Sequence, residues 1–321
     1  MSSMQILFGS DPEFMLVDDK GQLHSAIEIV KGTKDAKIQL GDGIELFHDN
    51  VNAELNIKPG RNEDEVQANI ALALDGLRKT VAPYYPVARA SADFPANELD
   101  NDEARAFGCE PEFCAYELSV ITAPEPPPTF RSAGGHIHLG ADCESYPLRA
   151  PLEGPSDDQD STKRDMARIE VIRMMDVFVG LASVMLDTDP TTAGRRKLYG
   201  KAGSHRPKSY GVEYRAPGNF WLRNPEMISL VYRLSMFVVD FVAHDGQRQW
   251  WADYANLVEG TTYNPDEVRR AIDETNVELA KRLIHELVLP NLPADLKLDM
   301  FDEIVEARGI TTQHEIAHLT R

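Results

Sequence analysis

The sequence is poor in the features that mark secreted and membrane proteins. Three cysteines, Cys109, Cys114 and Cys143, occur among 321 residues, and their spacing matches no disulfide framework and no metal motif. No run of about 18 apolar residues is present, so no membrane span is expected. The N-terminal stretch lacks the basic start and the long apolar core of a signal peptide. We therefore expect a reducing, cytoplasmic location.

Basic residues are also scarce. Lys and Arg number 33 against 52 Asp and Glu, which gives a formal net charge of −19. This balance argues against broad nucleic-acid binding because phosphate backbones would be repelled, but it leaves room for a small anion in a local basic pocket. The hydrophobic share of 42% is ordinary for a globular protein. We expect one domain over residues 1–321, with a helical C-terminal part from about 225 to 321.

Strands dominate the first part of the predicted structure and helices dominate the second. The alternating segment VNAELNIKP predicts a half-buried strand, and a helix is expected after Asn62. Two long helices with wide apolar faces are predicted over 165–187 and 224–245. The strand GVEYR falls between them. Shorter helices are expected near 264–287, 296–307 and 311–319. This order predicts an α+β fold.

The few basic residues are concentrated in one segment. Residues 195–223 contain eight Lys and Arg and a single acid, Glu213. We interpret 195–208 as a mobile, glycine-bearing loop suited to a polyphosphate. Glu213 and Arg215 lie two residues apart on the strand GVEYR, so both side chains would face one site. The alternative is a solvated basic loop with a surface ion pair.

Polar residues also occupy extended segments in which one apolar face is expected. Carboxylates gathered on one face of a sheet repel one another unless cations neutralise them, and oxygen donors with an occasional imidazole suit Mg²⁺ or Mn²⁺. Taken singly, an acid pair can be a solvent face and a histidine can be structural. The segments FGSDPEF and FGCEPEF echo each other, through duplication or convergence. The candidates are Asp11, Glu13, Glu54, Glu110, Glu112, His136 and His138.

Taken together and in order, these motifs resemble a known family. SDPEF, AGGHIHLG and YGKAGSHRPKSYGVEYRAPGNFW are similar to motifs of the glutamine synthetase and glutamate–cysteine ligase superfamily, and more narrowly of the phage-type carboxylate–amine ligases, type 2. The resemblance covers about residues 7–223. It implies a glutamine synthetase-like fold, a curved antiparallel sheet funnel backed by helices. It also implies an ADP-forming ligase that makes an amide through an acyl phosphate, with ATP and Mg²⁺ (or Mn²⁺) as cofactors.

The resemblance also assigns roles to residues. Arg215 and Arg206 would stabilise charge during phosphoryl transfer, while Glu110 and Glu112 lack a clear counterpart and are candidates to take the proton of the amine. Asp11 stands where Glu is more usual. Expected partners are small-molecule or peptide carboxylates and amines of open identity, with no nucleic acid and no membrane; an oligomer is left open. The metal ligands would be Asp11, Glu13, Glu54, His136 and Glu213. The nucleotide-binding residues would be His138, Arg195, Arg196, Lys201, Arg206 and Arg215.

Other interpretations remain open on the sequence. The same fold could serve a kinase that phosphorylates a guanidine or a carboxylate, or an acidic phage interaction protein without catalysis. Residues 314–318 read HEIAH, the spacing of a zinc-protease helix. Because few residues follow from which a third ligand could come, we expect a surface helix there instead.

Overall fold

A large antiparallel sheet packed against helices forms the structure. The computed structural model describes residues 6–105, 111–122, 124–141, 158–245 and 263–308. The strands in these ranges are β1 (Ile6–Ser10), β2 (Glu13–Val17), β3 (Leu23–His24), β4 (Ile38–Gly41), β5 (Ile44–Asp49), β6 (Asn52–Gly60), β7 (Tyr85–Val87), β8 (Ser91–Asp93), β9 (Phe113–Cys114), β10 (Ser119–Val120), β11 (Phe130–Ser132), β12 (Ile137–Ala141), β13 (Ser204–Lys208) and β14 (Gly211–Tyr214).

The helices lie mainly in the second half of the chain. A π-helical turn, Asp176–Gly180, joins α4 to α5, and another, Ile284–Val288, follows α9. The α-helices are α1 (Ala26–Ile29), α2 (Glu63–Val81), α3 (Asp102–Arg105), α4 (Asp158–Met175), α5 (Leu181–Leu186), α6 (Thr192–Leu198), α7 (Pro225–Asp245), α8 (Pro265–Asp273), α9 (Val277–Leu283) and α10 (Ala294–Arg308). Among the helices in the described ranges, none combines the length and the hydropathy that a membrane span requires.

The main sheet follows the order β10-β9-β13-β14-β12-β1-β6-β2-β3, with β5 on β6, β4 on β5 and β7 on β2. All of the pairings are antiparallel. Strands β8 and β11 form a separate two-stranded sheet. Strands that are distant in sequence, β1, β12 and β14, are therefore neighbours at the centre of the sheet.

Pro12 interrupts the first extended segment between Ser10, where β1 ends, and Glu13, where β2 begins. Pro12 has no N–H to give to a strand ladder, and the chain leaves β1 and enters β2 around it. Both strands then pair with β6, at Ile57 and at Glu54. Leu55 N donates a hydrogen bond to Pro12 O at 3.0 Å, an ordinary length for such a bond. Asp11 is thus displaced from the regular strand toward the neighbouring chain segments.

Helix α2 shows why the local sequence forms these elements. The Asn62 side chain accepts from Glu65 N at 2.9 Å, which caps the first turn. Acidic residues occupy the first turn, and Arg78 and Lys79 occupy the last turn. Both placements are favourable to the helix dipole. Its apolar residues recur at helical spacing and pack on β6. Burying each large apolar side chain contributes about 1.5–3 kcal/mol. The helix predicted after Asn62 is confirmed.

One hydrophobic cluster connects the sheet with the helices behind it. It includes Leu55 on β6, Ile137 on β12, Val212 on β14 and Leu234 on α7. The predicted α+β class with an antiparallel sheet is confirmed.

Two predicted segments differ from the observed ones. The stretch 195–208, expected as a loop, consists of the end of α6, a short connection at 199–203 and strand β13. The single helix expected near 264–287 is split after α8, because Thr275 has a φ of 52° and Asn276 caps the next helix by accepting from Leu279 N at 3.1 Å.

Candidate active site

Neighbouring strands bring most of the predicted site residues together. Glu213 on β14 lies opposite His138 on β12 and opposite Arg206 on β13. Strand β1 is the neighbour of β12 on the other side. Farther along the sheet, Glu13 on β2 lies opposite Glu54 on β6. Acids, histidines and arginines that are far apart in the sequence thus share adjoining strands.

The Asp11 carboxylate contacts both histidines, His136 and His138. Its Oδ1 lies 3.0 Å from His136 Nδ1 and 2.9 Å from His138 Nε2. Burial disfavours ionisation of this carboxyl, but the neighbouring His138 and His136 outweigh burial and hold the pKa of Asp11 well below its usual range. Ser10 Oγ donates to His136 O at 2.7 Å and fixes the backbone beside it. A negative charge is therefore held between two imidazoles.

Glycines shape the approach to His136. A Cβ at Gly134 would lie 2.2 Å from His136 Nε2, so this position must stay without a side chain for the ring to fit. A Cβ at Gly135 would lie 2.3 Å from Gly218 O. Trp221 Nε1 donates to Gly135 O at 3.1 Å. The two glycines of AGGHIHLG therefore allow close packing against the segment that follows β14.

Five residues form an ionic cluster, which we call the arginine group: Glu112, Arg206, Lys208, Glu213 and Arg215. Glu112, Glu213 and Arg215 are buried, while Arg206 and Lys208 are half-buried. Arg215 Nε donates to Glu112 Oε1 at 2.6 Å, and its Nη1 donates to Glu213 Oε1. Glu213 Oε2 lies 2.8 Å from Lys208 Nζ, and its Oε1 lies 3.6 Å from Arg206 Nη1. Burial would raise the pKa of Glu112, but Arg215 outweighs burial and the pKa is lowered. Each acid of this group has a cationic partner.

Three further carboxylates, Glu13, Asp49 and Glu54, form what we call the acid group. Burial raises the pKa of Glu13. Burial, and then the negative charges of Asp11, Glu13 and Asp49, raise the pKa of Glu54 well above its usual range. Lys34 lies 2.7 Å from Asp49, at a partly exposed position. The acid group therefore carries more negative charge than its neighbouring cations offset.

Backbone and amide groups hold Glu13 in place. Its Oε2 accepts from Gly134 N at 3.0 Å, and Asn52 Nδ2 lies 3.4 Å from the same atom. Asn219 Nδ2 donates to Glu13 O at 2.6 Å. These contacts fix the carboxylate through neutral donors, which leaves its charge available to a cation.

The residues at the centre of the site fit a divalent cation. Asp11, His138 and Glu213 each offer a donor atom within 4.8 Å of the others. His138 Nε2 lies 2.9 Å from Asp11 without the geometry of a hydrogen bond. Glu213 Oε2 also lacks a hydrogen bond of good geometry from the described residues, although Lys208 Nζ lies 2.8 Å from it. Two carboxylates and an imidazole are a donor set that suits Mg²⁺ or Mn²⁺. His138, expected near the nucleotide, thus lies in this trio, while the Nε2 of His136 packs against Gly134.

Two arginines of the basic segment lie in a different setting from the one expected. Arg195 is fully buried on α6, and its Nη1 donates to Ala216 O at 2.8 Å. Arg196 is also buried, and its Nη1 donates to Ile272 O at 2.6 Å. The expectation of a mobile loop with phosphate-binding arginines is therefore corrected here, because these guanidinium groups are occupied by backbone carbonyls inside the protein.

Buried acids hold the short connection 199–203 from behind. Ala202 N donates to Asp273 Oδ1 at 2.8 Å, and Gly203 N donates to Asp176 Oδ2 at 2.6 Å. Burial raises the pKa of Asp176 to about 7. Lys201, expected at the nucleotide, interacts electrostatically with Asp273. The connection is thus anchored to the helices rather than free to move as a loop.

The site also includes Lys208, Asn52 and Asp49, which are not among the residues predicted from the sequence motifs. Lys208 lies two residues after Arg206 on β13, so strand alternation would have placed both on one face. Asn52 and Asp49 enter through the pairing of β5 with β6, in which they lie opposite each other. The sequence of one strand does not show which residue of another strand will lie opposite it, so this pair could not be predicted. Glu110 and the motif HEIAH at 314–318 lie outside the described residues.

Comparisons with known proteins bear on the second half of this site. Residues 166–280, about a third of the chain, match the family model described as Phage phiEco32-like COOH.NH2 ligase-type 2. No curated protein matches the chain. Among solved structures, an ADP complex of GmaS in its conformation 1 is 13% identical, with 97% of this chain and 72% of that chain covered and a TM-score of 0.39. An apo GmaS structure is 15% identical, with 97% and 71% covered and a TM-score of 0.42.

The family match includes α6, β13 and the strand that carries Glu213 and Arg215. Over this part of the chain the match agrees with the resemblance to the phage-type carboxylate–amine ligases that the sequence motifs indicate.

Proposed function

We propose that this protein is an ATP- and Mg²⁺-dependent ligase that joins a carboxylate to an amine through an acyl phosphate. The observation that carries the proposal is the donor trio Asp11, His138 and Glu213, in which Glu213 also belongs to the arginine group and the charge of Asp11 acts on Glu54 of the acid group. Negative and positive side chains on adjoining strands suit a ligand with both a cationic and an anionic part, such as a magnesium-bound triphosphate. The family match supports the same reaction class.

The first step would be phosphoryl transfer to the carboxylate substrate. A carboxylate oxygen forms a bond to the terminal phosphorus as the bond to the bridging oxygen breaks, and ADP leaves with those electrons. Arg206, Lys208 and Arg215 would stabilise the charge that spreads over the phosphoryl oxygens. Arg215 is held by Glu112 at 2.6 Å, so its orientation is set before the ligand arrives. A divalent cation held by Asp11, His138 and Glu213 would supply Lewis-acid stabilisation of the same oxygens.

The second step would be attack by the amine on the acyl carbon. The new C–N bond forms as the C–O bond to phosphate breaks, inorganic phosphate leaves, and a proton of the amine passes to a carboxylate. Glu112 suits that role less well than the sequence suggests, because its pKa is lowered and it is bound to Arg215. Glu54 suits it better, since burial and neighbouring acids raise its pKa well above the usual range.

A substrate screen tests the proposal directly. Mg·ATP would be offered with panels of amino acids, polyamines and peptides, ADP release would be followed, and the product would be identified by mass spectrometry. We expect ADP release that needs both an acid and an amine, with an amide as product. Release without an amine, together with a stable phosphorylated product, would indicate the kinase alternative instead.

A variant pair tests the site. Glu213→Gln keeps the shape of the side chain but removes its charge, and we expect ADP release to fall by about 100-fold or more. Asp75→Asn is the matched control, since Asp75 lies on the exposed face of α2 and pairs with Lys79. Full activity of Glu213→Gln would overturn the site assignment.

Nucleotide binding can be measured without turnover. A ligand present at about 100 times its Kd stabilises a protein by roughly 2.7 kcal/mol. We therefore expect Mg·ATP to raise the melting temperature of the wild type. An unchanged melting temperature at millimolar Mg·ATP would favour the non-catalytic interaction protein.

A further inference from the structure

Tyr210 covers the edge of the donor trio from the turn between β13 and β14. Its ring is stacked on the His138 ring, with centroids 5.9 Å apart and planes inclined by 20°. Its hydroxyl contacts His138 Nδ1. The side chain is 39% exposed, so its position over His138 is not a consequence of core packing.

Two glycines allow this tyrosine to lie over β12. Gly140 and Gly211 are opposite each other in the β12–β14 register. A Cβ at Gly211 would lie 2.0 Å from Leu139 O, and its φ is 157°, a conformation that side chains rarely adopt. A Cβ at Gly140 would lie 3.2 Å from the Tyr210 ring. The glycine pair therefore brings the turn close to β12 and leaves space for the phenol.

The two nitrogens of His138 face different surroundings. Nδ1 faces the Tyr210 hydroxyl, whereas Nε2 faces Asp11 at 2.9 Å and is the atom that lies in the donor trio. A neutral imidazole carries one proton, so a cation on Nε2 requires the proton to be on Nδ1. A proton on Nδ1 needs an acceptor, and the phenol oxygen is placed to accept it.

We propose that Tyr210 is a positioning residue for His138: its hydroxyl accepts the Nδ1 proton and so leaves Nε2 free to bind a divalent cation. This inference rests on the proposed function for the cation site, but the contact with Nδ1 exists without it. A neutral phenol can accept from Nδ1 without adding a charge beside the cation.

His136 has no equivalent arrangement. Its Nδ1 faces Asp11 at 3.0 Å, and its Nε2 lies against Gly134. The Tyr199 ring also lies near His136, with centroids 6.2 Å apart, and His136 Nδ1 lies 3.6 Å from Glu213. Within the described residues, it is therefore the hydroxyl on Nδ1 that distinguishes His138 from His136.

The first test measures Mn²⁺ binding in the absence of nucleotide. The concentration of free Mn²⁺ is monitored by electron paramagnetic resonance. Partners of a ligating histidine typically contribute about 10–100-fold to metal affinity. We expect Tyr210→Phe to bind Mn²⁺ about tenfold or more weakly and His138→Ala to lose the site. Tyr85→Phe is the matched control, because Tyr85 is 57% exposed on β7, and it should bind as the wild type does.

The second test reads the tautomer of His138 before and after Mg²⁺ is added. Long-range ¹H–¹⁵N spectra of histidine-labelled protein distinguish Nδ1–H from Nε2–H, and the His138 signals are those lost in His138→Ala. Without metal we expect Nε2–H in the wild type, because the Asp11 carboxylate lies 2.9 Å from Nε2. With Mg²⁺ we expect the wild type to change to Nδ1–H, and we expect a smaller change in Tyr210→Phe at the same Mg²⁺ concentration.

The outcomes separate the two proposals. Wild-type affinity for Mn²⁺ and a wild-type change of tautomer in Tyr210→Phe would overturn the role of Tyr210 and leave the proposed function standing. A wild type that binds no Mn²⁺ at millimolar concentration and keeps Nε2–H when Mg²⁺ is added would contradict the cation site and, with it, the role of Tyr210.

Discussion

The acid group and the arginine group lie on the same sheet but balance their charges in different ways. In the arginine group, Glu112 and Glu213 are buried against Arg215, with Lys208 2.8 Å from Glu213. In the acid group, Glu13 and Glu54 lie opposite each other on paired strands, and their pKa values are raised. One group holds its own counter-charges, while in the other burial and neighbouring acids disfavour ionisation of the carboxyls.

This difference teaches how burial of acids relates to function. A buried carboxylate with a buried guanidinium stabilises one arrangement of the site whether or not a ligand is bound. A buried carboxylate beside other carboxylates disfavours the ligand-free state and gains most when a cation binds. The two groups should therefore respond in opposite directions when a charge is removed.

Removal of the shared arginine should have the largest effect. Arg215→Met leaves Glu112 and Glu213 buried after losing their closest cation. Breaking a buried ion pair in this way costs about 3–5 kcal/mol. We expect that loss in the free energy of unfolding by urea, together with loss of ADP release.

Arg78→Met is the control for this experiment, since Arg78 is exposed at the end of α2. It should leave both measurements near the wild type. A loss of less than about 1 kcal/mol for Arg215→Met would contradict the ion-pair account of the arginine group.

A third kind of buried acid sharpens the comparison. Asp176 accepts from Tyr214 Oη at 2.7 Å and from Gly203 N at 2.6 Å, both neutral donors, and burial raises its pKa to about 7. Its folded pKa therefore exceeds its unfolded one, so the folded state keeps a proton that the unfolded state loses. The contribution of Asp176 to stability is present at pH 4 and is lost as the pH rises toward 7.

The size of this effect follows from the same shift. One pKa unit corresponds to about 1.4 kcal/mol, so Asp176 should lower the free energy of unfolding by on the order of 4 kcal/mol between pH 4 and pH 7. Asp176→Asn should remove that part of the pH dependence, as measured by urea denaturation across this range. The same slope in Asp176→Asn and in the wild type would show that another group causes it.

Much of the fold could be predicted from the sequence because its signals are local. The Asn62 cap, the alternation of NAELNIKP and the apolar faces of the long helices are each contained within one element. The π-helical turn at Asp176–Gly180 has no such signal, since it continues the same apolar face. The buried state of Arg195 and Arg196 was also missed, because lysine and arginine clusters usually indicate solvent or phosphate, whereas here carbonyl oxygens are the partners.

The candidate site was predictable in its residue types and less so in its pairings. Glu213, Arg215 and the two histidines were apparent as polar residues on strands. Which histidine faces the other donors depends on the position of Asp11 after the break at Pro12. Partners such as Asp49 and Tyr210 depend on strand pairing and on the turn, which no single segment encodes.

The smallest expected effect is the most direct test of the contrast between the two groups. Glu54→Gln removes one ionisable carboxyl from the acid group, in which burial and then the charges of neighbouring acids raise the pKa of Glu54. At pH 7.5 and with EDTA present, we expect this variant to be more stable than the wild type by on the order of 1 kcal/mol. Glu213→Gln should be less stable under the same conditions, because Arg215 and Lys208 lose a partner.

Mg²⁺ should then reduce the advantage of Glu54→Gln. A cation near the acid group stabilises the wild-type carboxylates more than the neutral amide, so the difference in free energy of unfolding between the two proteins should shrink or reverse as Mg²⁺ replaces EDTA. Both variants carry the same chemical change, which makes each a control for the other. If Glu54→Gln and Glu213→Gln shifted stability in the same direction, the acid group would not carry the excess charge that distinguishes it from the arginine group.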